Sequence, residues 1–133
     1  MTKHSYSKNL TVIICLLALL SVSPTLFAQD AKPFVGTWNG SLSAAGQEYE
    51  MIVEFSMDED GNIKGNMDFH AMGAEDLNLS NITINGKKIS FGIEGAPGDP
   101  TLAGELDEAG KKIEGKFSQA DMEGTFTLEK AEL

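Results

Sequence analysis

The sequence predicts an all-β protein, an antiparallel up-and-down β-barrel of about eight strands that follows a cleaved signal peptide. Three observations lead to this prediction. Short segments of alternating apolar and polar residues recur after residue 36, turn sequences rich in Gly, Asn and Asp separate them, and no segment shows helical spacing over a useful length. A long meander of short antiparallel strands usually closes into a barrel or folds into a sandwich.

The first 28 residues have the parts of an export signal. Lys3 and Lys8 precede the apolar run of residues 10–20, and a segment that begins with Ser21 and ends with Ala28 supplies the small-residue exit. The run is too short to span a membrane, and Cys15 lies inside it, whereas a lipoprotein cysteine would follow it. We therefore expect cleavage after Ala28, a secreted or periplasmic protein with no stable membrane anchor, and one barrel domain over residues 29–133.

The mature chain is acidic and has no cysteine. Eight lysines, no arginine and 20 carboxylates give it a formal charge of −12. Nucleic acids and anionic lipids are bound through clusters of Lys and Arg, so neither is an expected partner. A disulfide, a thiol nucleophile and a thiolate metal site are excluded, because the one cysteine lies in the signal.

The second predicted strand has the clearest pattern. Tyr49, Met51 and Phe55 face one side of the sheet, while Glu48 and Glu54 face the other. The same alternation, interrupted by turn sequences such as "DEDGN", "NGK" and "GAPGDP", defines the remaining strands. In order, the predicted strands are residues 37–43, 48–57, 63–70, 77–84, 88–94, 101–107, 112–118 and 122–129.

Two local features refine this prediction. The apolar parity of the fourth strand shifts within residues 77–84, which indicates a bulge around Ser80 and Asn81. The segment "MDEDGN-IKGNM" from Met57 resembles "LDEAGKKIEGKF" from Leu106, so we expect one turn structure to be used twice. A single turn of helix is possible in residues 71–76.

Glycine occupies an inward position in five pentads of similar pattern. They are "WNGSL", "IKGNM", "LAGEL", "IEGKF" and "MEGTF", centred on Gly40, Gly65, Gly104, Gly115 and Gly124. Inward glycine lets a strand coil sharply so that a small barrel can close, or it clears room for a ligand. An empty space of about 300 Å³ would cost about 7 kcal/mol, so the interior is either filled by bulky side chains or occupied by water or ligand. We expect it to be filled.

With these residues in view, the chain resembles the small lipocalin-like β-barrel domain that occurs alone or N-terminal to the catalytic domain of secreted bacterial α/β-hydrolases and serine peptidases. The resemblance covers nearly all of the mature chain. It departs from the family in "DFHAMGA" at Asp68, where a Pro-Asp-Gln-Gly-Ala-like turn is usual, and in that no hydrolase follows Leu133. The matching fragments are "GTWNGSL", "GNIKGNMD", Gly73-Ala74, "SNITINGKKISF", "LAGELDEAGKKIEGKFSQ" and "FTLEK".

The Gly-x-Trp sequence that ends at Trp38 is also similar to the first strand of lipocalins and avidins. In those proteins the tryptophan plugs one end of the barrel, and lipocalins usually set an arginine against it. This chain contains no arginine. The resemblance implies a fold and a secreted setting, and it implies no particular ligand.

Catalytic and metal sites find little support in the sequence. His70 could form a triad with Ser80 and Asp76, but a Gly-x-Ser-x-Gly elbow is missing. Met67, His70 and Met72 could bind cuprous ion, although methionine is also a common core residue. The "DEDGN" segment lacks the glycine and the glutamate that a calcium loop needs at its sixth and twelfth positions. We therefore expect no enzymatic activity, no cofactor and no metal.

The expected role is binding, either of a small apolar molecule at the open end of the barrel or of a protein partner. The alternative is a structural, accessory domain related to those of the secreted hydrolases. Candidate ligand-binding residues combine apolar area with a few polar tips. They are Trp38, Tyr49, Met51, Phe69, His70, Met72 and Phe91.

The export signal gives a first testable prediction. Protein recovered from the periplasm or medium of a bacterial host should begin at Gln29, because Ala28 directly before it suits signal peptidase. Intact-mass measurement and N-terminal sequencing check this. Recovery of the protein only in the cytoplasm, with residues 1–28 retained, would contradict the assignment.

Overall fold

The computed structural model describes residues 31–132, which form a closed antiparallel barrel of eight strands. Each strand pairs with the next in sequence, and the last pairs with the first. The all-β, up-and-down barrel prediction is confirmed, whereas the predicted signal peptide lies outside the described residues. The strands are β1 (Gly36–Ala44), β2 (Gln47–Met57), β3 (Ile63–Phe69), β4 (Ala74–Asn85), β5 (Lys88–Ile93), β6 (Thr101–Leu106), β7 (Lys112–Gln119) and β8 (Met122–Lys130).

Strand direction alternates around the barrel, so the connections divide between two ends. The β1–β2, β3–β4, β5–β6 and β7–β8 connections lie at one end, which we call the open end. The other three connections lie at the opposite end, which we call the closed end, together with a 3-10 turn at Lys32–Phe34. A second 3-10 turn, His70–Met72, joins β3 to β4. Within residues 31–132 no helix is long and apolar enough to cross a membrane.

The strand boundaries follow the predicted ones closely, with differences in β4. This strand begins at Ala74, three residues before the predicted start, because Gly73 adopts a left-handed conformation (φ 70°) that ends the 3-10 turn. The predicted bulge is present, since the β4–β5 register shifts between Ser80 and Thr83. A further irregularity between β3 and β4 was not predicted, and there the Asp76 N–H donates to Asp68 Oδ1 at 2.7 Å.

The middle of the barrel is filled by apolar side chains. Phe91 stands edge-on to Phe55 and to Phe126, with ring centroids 5.5 and 6.4 Å apart. Such edge-to-face pairs contribute beyond the area they bury. The expectation of a filled interior therefore holds for this region. The buried core consists of Phe34, Trp38, Leu42, Ala44, Met51, Val53, Phe55, Met67, Phe69, Ile84, Ile89, Phe91, Leu102, Leu106, Ile113, Phe117, Phe126 and Leu128.

The pentad glycines permit backbone contact between neighbouring strands. A Cβ atom on Gly40 would overlap the Thr127 carbonyl oxygen, and one on Gly115 would overlap that of Ala103. Gly104 is the register partner of Gly115, and a Cβ there would lie 2.9 Å from Phe126 Cζ. The glycines thus serve close approach of strands and of core side chains, which is the closure role predicted for them.

Trp38 plugs the closed end. It is fully buried, and its Nε1–H donates to the carbonyl oxygen of Phe34, in the first 3-10 turn, at 2.8 Å. Lys130, the register partner of Trp38, places its Nζ 5.5 Å from the ring centroid and donates to the Pro33 carbonyl oxygen at 3.3 Å. A cation over an aromatic face contributes about 0.5 to 2 kcal/mol. A lysine, and not an arginine, thus packs over this tryptophan.

Two connections at the closed end, which the sequence predicted to share one turn structure, both use an aspartate that accepts backbone N–H groups, although the donors differ in position by one or two residues. Asp58 Oδ1 accepts the N–H groups of Asp60 (3.0 Å) and Asn62 (2.8 Å) in the β2–β3 turn. Asp107 Oδ1 accepts those of Lys111 (2.9 Å) and Lys112 (3.2 Å) in the β6–β7 turn. These backbone donors lower the pKa of both carboxyl groups, chiefly through Asn62 for Asp58 and through Lys111 for Asp107.

Replacement of Gly115 by alanine should destabilise the barrel. The new Cβ would collide with the Ala103 carbonyl on β6, and forcing an extra methyl group into packed structure typically costs about 1 to 3 kcal/mol. Chemical denaturation of Gly115→Ala beside Ser118→Ala, an exposed site on the same strand, measures the difference. Equal free energies of unfolding for the two variants would contradict this account of closure.

Asp107→Ala should lower stability in a pH-dependent manner. Because the pKa of Asp107 is lowered on folding, its contribution is present above the unfolded value of about 3.8 and is lost as pH falls through the folded pKa. Thermal melts should show the variant below wild type at pH 7, with the gap narrowing under pH 3.8. Glu108→Ala removes the same charge from the same turn and is the control. A gap that is constant with pH, or equal for both variants, would contradict the prediction.

Candidate functional site

An apolar cavity of about 450 Å³ lies at the open end of the barrel. Seven of the eight strands or their connections contribute inward side chains to it, so the cavity continues the barrel interior. Its volume falls within the range of about 300 to 1,000 Å³ that is typical of ligand pockets. The lining residues are Leu42, Ala44, Tyr49, Phe69, Met72, Ala74, Leu77, Ile93, Glu94, Gly95, Ala96, Pro97, Pro100, Phe117, Gln119 and Met122.

Small side chains leave this end of the interior unfilled. Ala44, the last residue of β1, and Ala74, the first of β4, both line the cavity with side chains of a single methyl group. Two larger lining residues, Phe69 and Phe117, are themselves nearly buried and pack on the core. The cavity is therefore bounded on the core side by fixed apolar surface.

The β5–β6 connection, residues 94–100, borders the cavity and is tied to the neighbouring β7–β8 turn. The Gln119 side-chain amide donates to the Pro97 carbonyl oxygen at 2.7 Å. The Ala120 N–H donates to the Gly98 carbonyl oxygen at 2.9 Å. These two hydrogen bonds hold the longest connection of the open end in one place, so the cavity has a defined wall on this side.

Few polar groups face the cavity. Glu94 is the charged residue among those that line it, and it is exposed at the rim. The Tyr49 hydroxyl donates to Gln47 Oε1 at 2.7 Å, which leaves its aromatic ring as the lining surface. Met72 and Met122 are 63% and 37% exposed and give the rim flexible apolar side chains. The arrangement suits a mainly apolar molecule with one polar or charged tip.

Three of the predicted ligand-binding residues, Tyr49, Phe69 and Met72, line this cavity. Met51 and Phe91 are buried in the core, with 2% and 1% of their surface exposed. Both side chains are part of the packed core, and neither of them lines the cavity. The ligand-binding role itself stays a prediction for all of them.

The other two predicted residues lie elsewhere. Trp38 is at the closed end, where the first 3-10 turn and Lys130 cover it. His70 is on the outside of the open end, and its Nδ1 lies 3.2 Å from Glu75 Oε1. Met67, which the copper hypothesis joined to His70, is fully buried in the core. Among residues 31–132 no group of three or more His, Cys, Asp or Glu residues could hold a metal ion.

Several lining residues were missed from the sequence, among them Ala44, Ala74, Leu77 and Ile93. A signal for them was present. In an up-and-down barrel, alternate connections share one end, so the last inward residue before each of those connections lines the same opening. The prediction relied on large aromatic residues and overlooked the small and aliphatic ones that create the space.

A second concavity, of about 490 Å³, lies on the outer wall of the barrel. It is bordered by exposed charged residues that include Lys88, Glu105 and Lys116. These side chains alternate with core residues along their strands, so they face solvent. We take the cavity at the open end as the candidate site, because it combines depth in the barrel with an apolar lining.

Comparison with protein-family models and with curated proteins gave no match. Solved structures gave several matches, one of them described as a redesigned β-barrel. It is 14% identical, with 80% of this chain and 98% of that chain covered and a TM-score of 0.48. The fold described above rests on the strand pairing of this chain and not on that likeness.

Proposed function

We propose that this protein is an exported, non-enzymatic barrel that binds a small, mainly apolar molecule at its open end. The observation that carries the proposal is the 450 Å³ cavity, which continues the interior of a barrel that is otherwise filled. The relation to the lipocalin-like domains of secreted hydrolases, suggested by sequence motifs, agrees with this role.

The energetics of the cavity favour occupancy by an apolar molecule. Water in such a space finds few hydrogen-bond partners, because most lining residues are apolar. A ligand that covers about 100 Å² of apolar lining contributes about 2.5 kcal/mol at about 25 cal/mol per Å². Apart from the exposed Met72 and Met122, the lining is on strands or on the hydrogen-bonded β5–β6 connection, so little conformational entropy is lost there on binding.

The polar groups near the cavity favour binding over catalysis. A nucleophile needs an adjacent base, and the polar side chains available there are those of Tyr49, Glu94 and Gln119. Tyr49 and Gln119 already make hydrogen bonds of 2.7 Å to the protein. His70, the base of the hypothetical triad, lies outside the cavity beside Glu75.

A neutral fluorescent probe, N-phenyl-1-naphthylamine, tests the proposal. The probe should bind wild type with enhanced emission, and Ala74→Trp should weaken its binding at least about tenfold, because indole fills space that alanine leaves open. Ala109→Trp, in the β6–β7 turn at the closed end, is the matched control and should bind as wild type does. Thermal melts establish that both variants fold.

Native mass spectrometry of protein purified from its own host provides a second readout. A bound mass of a few hundred daltons, lost in Ala74→Trp and kept in Ala109→Trp, is the expected result. No probe binding together with no bound mass would overturn the proposal. In that case a structural or partner-binding role would be the better interpretation of the protein's function.

A further inference from the structure

Charge is distributed very unevenly between the two ends of the barrel. In the described chain no lysine occurs in the segments that form the open end, which are residues 44–49, 69–77, 93–101 and 117–123. The same segments carry seven carboxylates, all of them exposed. These are Glu48, Glu75, Asp76, Glu94, Asp99, Asp121 and Glu123.

The closed end is nearly neutral by comparison. Seven of the eight lysines of the mature chain lie there, among a similar number of acids, and some form close pairs. Lys64 Nζ lies 3.8 Å from Asp58 Oδ2, and Lys112 Nζ lies 3.0 Å from Glu114 Oε1. The remaining lysine, Lys116, is in the middle of β7. The net negative charge of the described chain is thus greater at the open end, where Glu94 lines the cavity.

We propose that the cavity selects amphiphilic cations, molecules with an apolar body and an amine or quaternary ammonium head. This inference rests on the proposed function, because it names the ligand class of the same cavity. The apolar lining would take the body, and the head would stay at the rim beside Glu94 and the other carboxylates. Fatty acids and other apolar anions would be repelled.

The preference for cations would come from electrostatic attraction, because the charged residues around the open end are all negative. Unit charges 4 Å apart interact by about 1 kcal/mol even in bulk water, and several carboxylates act together on one head group. Exposed charges further apart than about 10 Å are screened at 0.1 M salt, so the preference should weaken as salt is added. His70, which adds positive charge there only when protonated, lies 3.2 Å from Glu75.

Three ligands that share a ten-carbon tail test the inference. Decyltrimethylammonium, decanol and decanoate are each titrated against protein loaded with N-phenyl-1-naphthylamine, at pH 8 and below micelle-forming concentrations. The cation should displace the probe at a concentration at least about tenfold lower than the anion, with the alcohol between them. Raising the salt from 20 to 500 mM should shrink the difference severalfold, because the rim charges are screened.

Variants that replace carboxylates with amides test whether the rim charges cause the preference for the cation. The triple variant Glu75→Gln, Glu94→Gln, Asp121→Asn removes rim charge and should lose most of the preference for the cation. The control, Glu59→Gln, Asp60→Asn, Glu108→Gln, removes three exposed charges from closed-end turns and should keep it. Equal affinities for the three ligands, tighter binding of decanoate, or a preference that survives in the rim variant would overturn this inference and leave apolar binding standing. No displacement by any ligand, with no probe binding, would overturn the proposed function itself.

Discussion

The structure depends on how closely adjacent strands approach at the inward glycines. Eight strands form a barrel narrow enough for one layer of side chains to fill, provided that the backbone coils sharply. At Gly40 and Gly115 a methyl group would occupy the place of a neighbouring carbonyl oxygen. Aromatic rings from other strands fill space beside two of the glycines: a Cβ on Gly65 would lie 3.0 Å from Phe55 Cδ1, and one on Gly104 2.9 Å from Phe126 Cζ. Closure and core packing are therefore two aspects of one constraint.

The same constraint makes the two ends of the barrel different. At the closed end, Trp38 and the preceding 3-10 turn complete the core, and Lys130 covers the indole ring. At the open end, Ala44 and Ala74 are among the residues that line an unfilled space, and the β5–β6 connection bounds it. Function is expected at the end where packing is incomplete, because a packed and plugged end offers a ligand no surface. The uneven distribution of charge coincides with this difference in packing.

Much of the fold could be predicted from sequence because period-2 alternation and turn residues are local signals. The strands, the bulge after Ser80 and the repeated Asp turn all follow from such signals. The second irregularity, between Met67 and Phe69, could not, because it depends on how Asp68 meets Asp76 across two strands. The candidate residues were chosen by type and parity, and only some of them lie at the cavity. Tyr49 lines it, whereas Trp38 lies at the opposite end, because the end that each residue occupies is a property of the closed barrel.

The seam between β1 and β8 brings the beginning and the end of the barrel together. The Ala131 N–H donates to the Thr37 carbonyl oxygen at 2.8 Å, so the start of β1 and the end of β8 meet beside the tryptophan plug. A short peptide could join them, and the chain could be cut at an opposite hairpin to give a circular permutant with every ladder retained. Equally, a tether attached just before β1 or just after β8 would join the barrel at the closed end, opposite the cavity. The topology thus keeps the cavity clear of such an attachment.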